Sequence, residues 1–403
     1  MKKTIFILCV VLSILLIMWM VGRLRRGGNA KVGEYMASNR DTEIVIYDID
    51  DLEAMAAEII PHGAFDYIRG GAETENTLRR NVESFDAVDI YPRVLTGVER
   101  PDTTTSVLGT VIAMPIIAAP AAAHGLAHTS AEAGTARGVA AANTIMSVSN
   151  YASSTLEDIA KAGAGAPQWF QLYLSKDDDF NRQIVKKAEK LGYKAIILTV
   201  DAPVGGNRVA DSRNNFKFPL SLPNVSKKTI KTKGHGVGAV FAASQNKLTP
   251  YDVMRVKAMT DLPVIVKGVQ HPDDADVAIW AGADALWVSN HGGRQLDGAP
   301  ASFEVLKQIA ERVDNRVPII FDSGVRRGQH IFKAIASGAD VVAIGRPIIY
   351  GLALGGWRGV ESVLDYLQMD LQRVMTLAGT QNIAEIKDVS LRPRCDCVQC
   401  GGI

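Results

Sequence analysis

What most constrains this chain is a set of eight short apolar runs, at residues 115–119, 144–148, 168–173, 195–200, 263–266, 285–289, 317–321 and 341–344. Apolar side chains fill odd and even positions alike, the pattern of strands covered on both faces. Longer stretches of helical periodicity separate them, so strand and helix alternate as in a parallel sheet with crossover helices. Eight such units are the number that closes a (β/α)8 TIM barrel; a doubly wound open sheet is the alternative. With 403 residues, 47% of them hydrophobic, the chain has ample material for one large core.

One interval breaks the rhythm. More than sixty residues separate the fourth and fifth runs, and the loop at about 211–250 leaves the end of the fourth strand, where barrels carry their active sites. Loops of that length are usually lids or disordered, and the place of this one at the active-site end makes a lid over the substrate the sharper expectation. Upstream, residues 48–60 read as an amphipathic helix with Asp48 as its N-cap, followed at 62–72 by a glycine-containing cover.

The first residues have a different character. Residues 4–22 form an uncharged apolar run long enough to cross a hydrocarbon layer of about 30 Å. Lys2 and Lys3 precede it, and Arg23, Arg25, Arg26 and Lys31 come after it. This pattern predicts a single-pass N-terminal transmembrane helix with the catalytic domain on the cytoplasmic side of the membrane. A cleaved signal peptide is the alternative, against which stand the length of the run and the lack of a small-x-small cleavage site. The expected layout is an anchor at 1–26, a linker at 27–42, the barrel at 43–390 and a cysteine-containing tail at 391–403. Cys395, Cys397 and Cys400 in that tail are one ligand short of a tetrahedral site, so no metal is expected. With 44 basic and 43 acidic residues the net charge is +1, which supplies no field for nucleic acid.

Chemistry shows at the ends of the apolar runs. Ser149, Gln171, Tyr173, Thr199, Asp201, Lys267, Ser289, His291, Arg294, Asp322, Gly345 and Arg346 all fall at or just beyond strand ends. A buried strand has no need to end in polar groups, whereas a barrel active site requires them there. In the run SNHGGRQLD, residues 289–297, His291 and Arg294 flank two glycines. An imidazole base beside a guanidinium suits oxidation of a hydroxy acid: one takes the hydroxyl proton, the other holds the carboxylate. Arg208 offers a second cation, and Asp201 a carboxylate able to fix the imidazole tautomer. A lone loop histidine would more often be structural; Asp201 and Arg294 weigh against that for His291.

Glycines and arginines after the seventh and eighth runs, in FDSGVRRG at 321–328 and IGRP at 344–347, match the place where barrels commonly bind phosphate. A phosphorylated cofactor is expected there. Lys267 fits two roles, a Schiff-base amine or a fixed cation facing an electron-accepting ring.

Together, PAAAHGLAH (120–128), QLY (171–173), LTVDAP (198–203), VIVKG (264–268), SNHGGRQLD, FDSGVRRG and IGRP resemble the FMN-dependent 2-hydroxy-acid oxidase and dehydrogenase family, and within it the bacterial lactate oxidases most closely. The resemblance runs from about Ile44 to Lys387 and excludes the apolar N-terminus and the cysteine tail. It implies FMN as cofactor, His291 as base and Asp201 as its partner. It further implies Tyr67, Tyr151, Tyr173, Arg208 and Arg294 around the substrate. Pro120, Ala121, Ala122, Ser149, Gln171, Thr199, Lys267 and Ser289 would face the flavin ring. Asp322 and Ser323 would hold the ribityl chain, with Gly324, Val325, Arg326, Gly345 and Arg346 at the phosphate. Lys267 is then the fixed cation rather than a Schiff base.

The implied activity is oxidation of an L-2-hydroxy acid, foremost L-lactate, with oxygen as acceptor and hydrogen peroxide as product. A membrane-bound, quinone-linked dehydrogenase is the alternative that the apolar N-terminus raises; a catalytically silent, membrane-tethered barrel is one from another class. Phe218 and Phe241 stand at lid positions where lactate oxidases carry tyrosine, which predicts a drift toward less polar 2-hydroxy acids. Self-association, as a tetramer, is expected from the family.

Overall fold

The computed structural model describes residues 35–226, 233–242 and 244–394. By internal contacts the chain divides after Met36, and the barrel belongs to the unit that begins at Ala37. All eight apolar runs are strands: β1 (Ile116–Ala118), β2 (Met146–Ser149), β3 (Gln168–Leu172), β4 (Ala195–Thr199), β5 (Val264–Val269), β6 (Ala285–Val288), β7 (Ile319–Phe321) and β8 (Val341–Ile344). They pair in sequence order and close, β8 lying against β1 through Val342–Ile116 and Ile344–Ala118, so the fold is the eight-stranded parallel barrel. Inside, Ile117, Ile145, Trp169, Ile197, Ile265, Trp287 and Ile320 fill the centre. This packed apolar plug gives the strand ends above it a rigid floor.

Three helices, Asp51–Ala57, His62–Arg69 and Asn76–Glu83, lie ahead of the barrel. The first is shorter than the sequence suggested, and Asp48 is not its cap. The Asp48 carboxylate accepts from the Asp50 N–H and pairs with Arg327 at 3.0 Å, so it shapes the turn before the helix. At the other end, Leu391–Pro393 pairs antiparallel with Val88–Ile90. The long helix Arg346–Ala378 breaks at Gly355 and Gly356, where Thr42 N–H donates to the Gly355 carbonyl.

The expected single-pass membrane placement is corrected: no helix among the described residues is long and apolar enough to cross a membrane. The run at 4–22 lies outside the described residues, as do the three tail cysteines. Part of the expected lid is seen. Its short helix Val237–Ala242 comes after a backbone pairing of Phe218 with Gly234 and His235, and Ser244–Gln245 is bridged to Leu174–Ser175 beyond β3. Tyr151 secures the same end, its hydroxyl 2.8 Å from Ser244 Oγ.

His330, on the helix after β7, is 3% exposed and stacks flat on Phe85 at 4.4 Å. Burial, with Arg327, Lys333 and Arg326 close by, pushes its pKa down to about 3. A group depressed in the folded state contributes stability that is complete above the unfolded value of about 6.5 and is lost as pH falls toward the folded value. Inside that window His330 should cost about 1.4 kcal/mol per pH unit. Urea midpoints measured from pH 7 to pH 4 should therefore fall less steeply for His330→Gln than for the parent; equal slopes would contradict this.

Candidate active site

At the C-terminal mouth of the barrel a pocket with an empty volume of about 1140 Å3, part of it open to solvent, is walled by residues from every quarter of the sheet. Every site residue expected from the sequence lines it except Asp201 and Ser289. Those two stand behind the wall, where they orient others.

His291 begins a tight turn directly beyond β6. His291, Gly292 and Gly293 all have left-handed backbones, with φ of 60°, 64° and 73°. Such a conformation costs a residue with a Cβ roughly 1–3 kcal/mol and persists only where the surroundings over-determine it. Here three side chains do so: Ser289 Oγ accepts from His291 N–H, Ser323 Oγ from Gly292 N–H, and Asn290 Oδ1 from Gly293 N–H, at 3.0, 3.1 and 3.0 Å. Gly293 is required for a second reason, since a Cβ would stand 2.6 Å from the Leu78 nitrogen. Asn290 is itself locked by a reciprocal amide pair with Asn81.

The imidazole is oriented from both sides. Nδ1 lies 2.9 Å from Asp201 Oδ1, and Nε2 lies 3.2 Å from the Tyr173 hydroxyl. A carboxylate only accepts, so Nδ1 carries the proton and Nε2 presents its lone pair to the pocket. Burial lowers the His291 pKa; the charge and hydrogen bond of Asp201 oppose this, and Lys267 and Arg208 add to it. The net result is a neutral base at physiological pH. Burial works to raise the Asp201 carboxyl, but His291, with Lys267 behind it, holds it below the usual carboxylate range. It therefore stays ionised opposite the imidazole.

Two guanidinium groups share the ring of Tyr67, Arg208 at 5.5 Å and Arg294 at 5.2 Å from its centroid. Arg294 is anchored to the carbonyls of Tyr67, Ile68 and Gly70. Burial, with Arg208 and Arg346 nearby, lowers its pKa to about 9, which leaves it charged at neutral pH. Arg208 is different: it is buried, and its Nε and Nη1 find no hydrogen-bond partner among the described residues. Asp211 approaches only to 4.0 Å. Buried guanidinium donors left without hydrogen bonds are costly, so this corner is suited to receive an anion.

Along the floor, Gln171 accepts from Ser149 Oγ and donates to Thr199 Oγ1, linking β2, β3 and β4. Lys267 Nζ donates to Ser289 Oγ at 2.9 Å and lies 3.4 Å from Asp322 Oδ2. Ser289 was expected to face the ring of a cofactor. It is fully buried, bound to Lys267, to Asp322 at 2.6 Å and to the His291 N–H. Across the pocket, Gly345 precedes the helix that starts at Arg346, so the positive end of that helix abuts the cavity. A Cβ on Gly345 would meet nothing nearer than Ala119 Cβ at 4.0 Å, which leaves open space before its backbone. The Arg346 guanidinium donates to the carbonyls of Arg69, Gly70 and Gly292 and so pins the His291 turn to the N-terminal cover.

Residues 56–393 match the family of FMN-dependent dehydrogenases. This chain belongs to that family. It is 50% identical to an L-lactate oxidase of Lentilactobacillus hilgardii over 361 residues, 89% of this chain and 98% of the relative. A peroxisomal (S)-2-hydroxyacid oxidase of Arabidopsis thaliana is 42% identical over 346 residues, 85% of this chain and 95% of the relative. Among solved structures, a refolded lactate oxidase of Pediococcus acidilactici superposes with a TM-score of 0.86 at 50% identity, covering 90% of this chain and 98% of that one. The chain is thus an FMN-dependent enzyme that oxidises a 2-hydroxy acid, which sets aside a silent binding barrel. The names of these relatives point to oxidases and lend no support to membrane-bound, quinone-linked electron transfer.

Some of the machinery was not legible in the sequence. Ile68, Val237 and Val240 line the pocket with Phe218 and Phe241, yet as isolated apolar residues on helices and loops they carry no signal of their own. Trp287 and Asn81 act from behind the wall. Trp287 stands two positions before the run that contains His291, and strand alternation alone would have turned it inward.

Proposed function

We propose that this enzyme oxidises L-lactate to pyruvate, with oxygen reduced to hydrogen peroxide. The observation that carries this is the pairing of a neutral base, His291 Nε2, with the buried guanidinium of Arg208, whose Nε and Nη1 have no hydrogen-bond partner among the described residues, in one pocket, supported by half-identity to L-lactate oxidases. Arg208 and Arg294 bind the substrate carboxylate, satisfying the buried charge of Arg208. Tyr67 fixes both cations, and Tyr151 and Tyr173, stacked at 4.7 Å, close the adjoining side. His291 Nε2 takes the hydroxyl proton, and Asp201 stabilises the imidazolium that forms. Phe218 and Phe241 cover the pocket with apolar surface and exclude water.

The residues present fit FMN. Ala121, Ala122, Gln171 and Thr199, with Pro120 and Ser149, would hold the ring over Lys267; Asp322 and Ser323 would hold the ribityl chain. The phosphate would meet Gly324, Val325, Arg326, the open backbone at Gly345 and the helix start at Arg346. Bound FMN supplies the two-electron acceptor, and Lys267 offers a fixed cation beside it.

The test is stoichiometric. In air-saturated buffer, one pyruvate and one hydrogen peroxide should form per oxygen consumed with L-lactate. Arg208→Met should lower kcat/KM by about 100- to 1,000-fold, the cost of removing one partner of a buried charged pair. Turnover that requires a quinone and leaves oxygen untouched would overturn the proposal.

A further inference from the structure

Among the described residues the barrel core carries two tryptophans, Trp169 on β3 and Trp287 on β6, both fully buried. Their ring nitrogens differ in one respect. Trp169 Nε1 has no hydrogen-bond partner among the described residues, whereas Trp287 Nε1 donates to Asp322 Oδ2 at 2.9 Å. Register places Trp287 beside Lys267 on β5 and Ile320 on β7, with Lys267 Nζ 5.6 Å from the Trp287 ring. Trp287 thus sits where the apolar plug meets the polar floor and touches both ends of the Lys267–Asp322 pair.

We propose that Trp287 is a positioning residue for the electron acceptor, its indole N–H holding Asp322 so that the charge of Lys267 remains available to the pocket. Asp322 Oδ1 is saturated by Ser289 and Ser323, at 2.6 and 2.7 Å. Oδ2 is shared between the indole N–H and the Lys267 ammonium, and the ammonium stands off at 3.4 Å. Without the indole donor, Oδ2 has only Lys267 to draw in. A tighter ion pair neutralises the ammonium, and a cation on the pocket floor is what favours the negative charge that two-electron reduction adds to a flavin. Trp169, equally buried in the same core but without such a partner, therefore separates the effect of the N–H bond from that of core packing. This inference rests on FMN occupying the pocket as proposed for the function.

Trp287→Phe removes the donor and keeps an aromatic ring, and Trp169→Phe is a matched packing control. Two quantities are read on each: the FMN dissociation constant of the apoprotein, and the midpoint potential of the holoenzyme by dye equilibration. Trp287→Phe should weaken FMN binding about tenfold, the scale of one hydrogen bond to a charged group. It should lower the potential by about 30 mV, equivalent to tenfold in a two-electron equilibrium. Trp169→Phe should stay within about twofold on both. If Trp287→Phe does not fold, benzothienylalanine at position 287 keeps the indole shape without the N–H and must show the same two shifts. Unchanged values at position 287, or equal shifts at both positions, overturn the inference. A parent apoprotein that takes up no FMN overturns the cofactor site itself, and the inference with it.

Discussion

Replacing His291 with glutamine should lower kcat with L-lactate by about 1,000- to 10,000-fold while the protein still binds FMN, because glutamine has no basic nitrogen to accept the hydroxyl proton. Its turn is held by Ser289, Asn290 and Ser323 through backbone N–H groups that the substitution leaves in place. The parent enzyme's pH profile should carry the same signature. The folded pKa of His291 lies below the ordinary imidazole value, because burial outweighs the pull of Asp201. The basic form is therefore already dominant at neutral pH, so kcat/KM should be flat there and fall only as acid protonates Nε2 below about pH 6.5. A glutamine variant that keeps a tenth of the activity, or a parent profile still rising above pH 8 through an imidazole, would rule out this base.

The second large effect belongs to a residue outside the pocket wall. Asp201→Asn should lower kcat by about 100- to 10,000-fold with little change in KM, since the grip on the substrate carboxylate is assigned in the proposed function to Arg208 and Arg294 rather than to Asp201. The geometry supplies the reason. Asp201 Oδ1 is 2.9 Å from His291 Nδ1, and as a pure acceptor it forces the tautomer that leaves Nε2 unprotonated. Asparagine can offer Nδ1 an N–H instead, which puts the imidazole proton on Nε2 and blocks the base. Steady-state kinetics would decide this: a rise in KM with kcat preserved would make Asp201 a binding residue instead.

Much of this site could be read from strand ends alone. The eight runs located the mouth of the barrel, and the polar residues after them proved to line one cavity because parallel strands all deliver their C-terminal ends to the same face. That rule reaches only residues adjacent in sequence to a strand. It could not separate Ser289, which turns behind the wall to join Lys267, Asp322 and His291, from Ser149 or Thr199, which line the pocket. Nor could it foresee that the Arg346 guanidinium, expected beside an anion, also bonds three carbonyls from two distant segments. Asp48 misled for a related reason: its propensity to cap was overridden by Arg327, 279 positions away in the chain.

By itself, the sequence determined the barrel, the family and the candidates for base and cations, since each is carried by local pattern: apolar runs of strand length, and polar types placed one or two residues beyond them. Only the tertiary structure decided which of these groups are satisfied and which are left wanting a partner. Arg294 and Arg208 are both arginines near the same tyrosine, yet one spends its donors on backbone carbonyls and the other has buried donors unused. Likewise Trp169 and Trp287 are both core tryptophans, and only the second has a carboxylate within reach. Hydrogen-bond satisfaction depends on positions to within a few tenths of an ångström, set jointly by segments far apart in the chain.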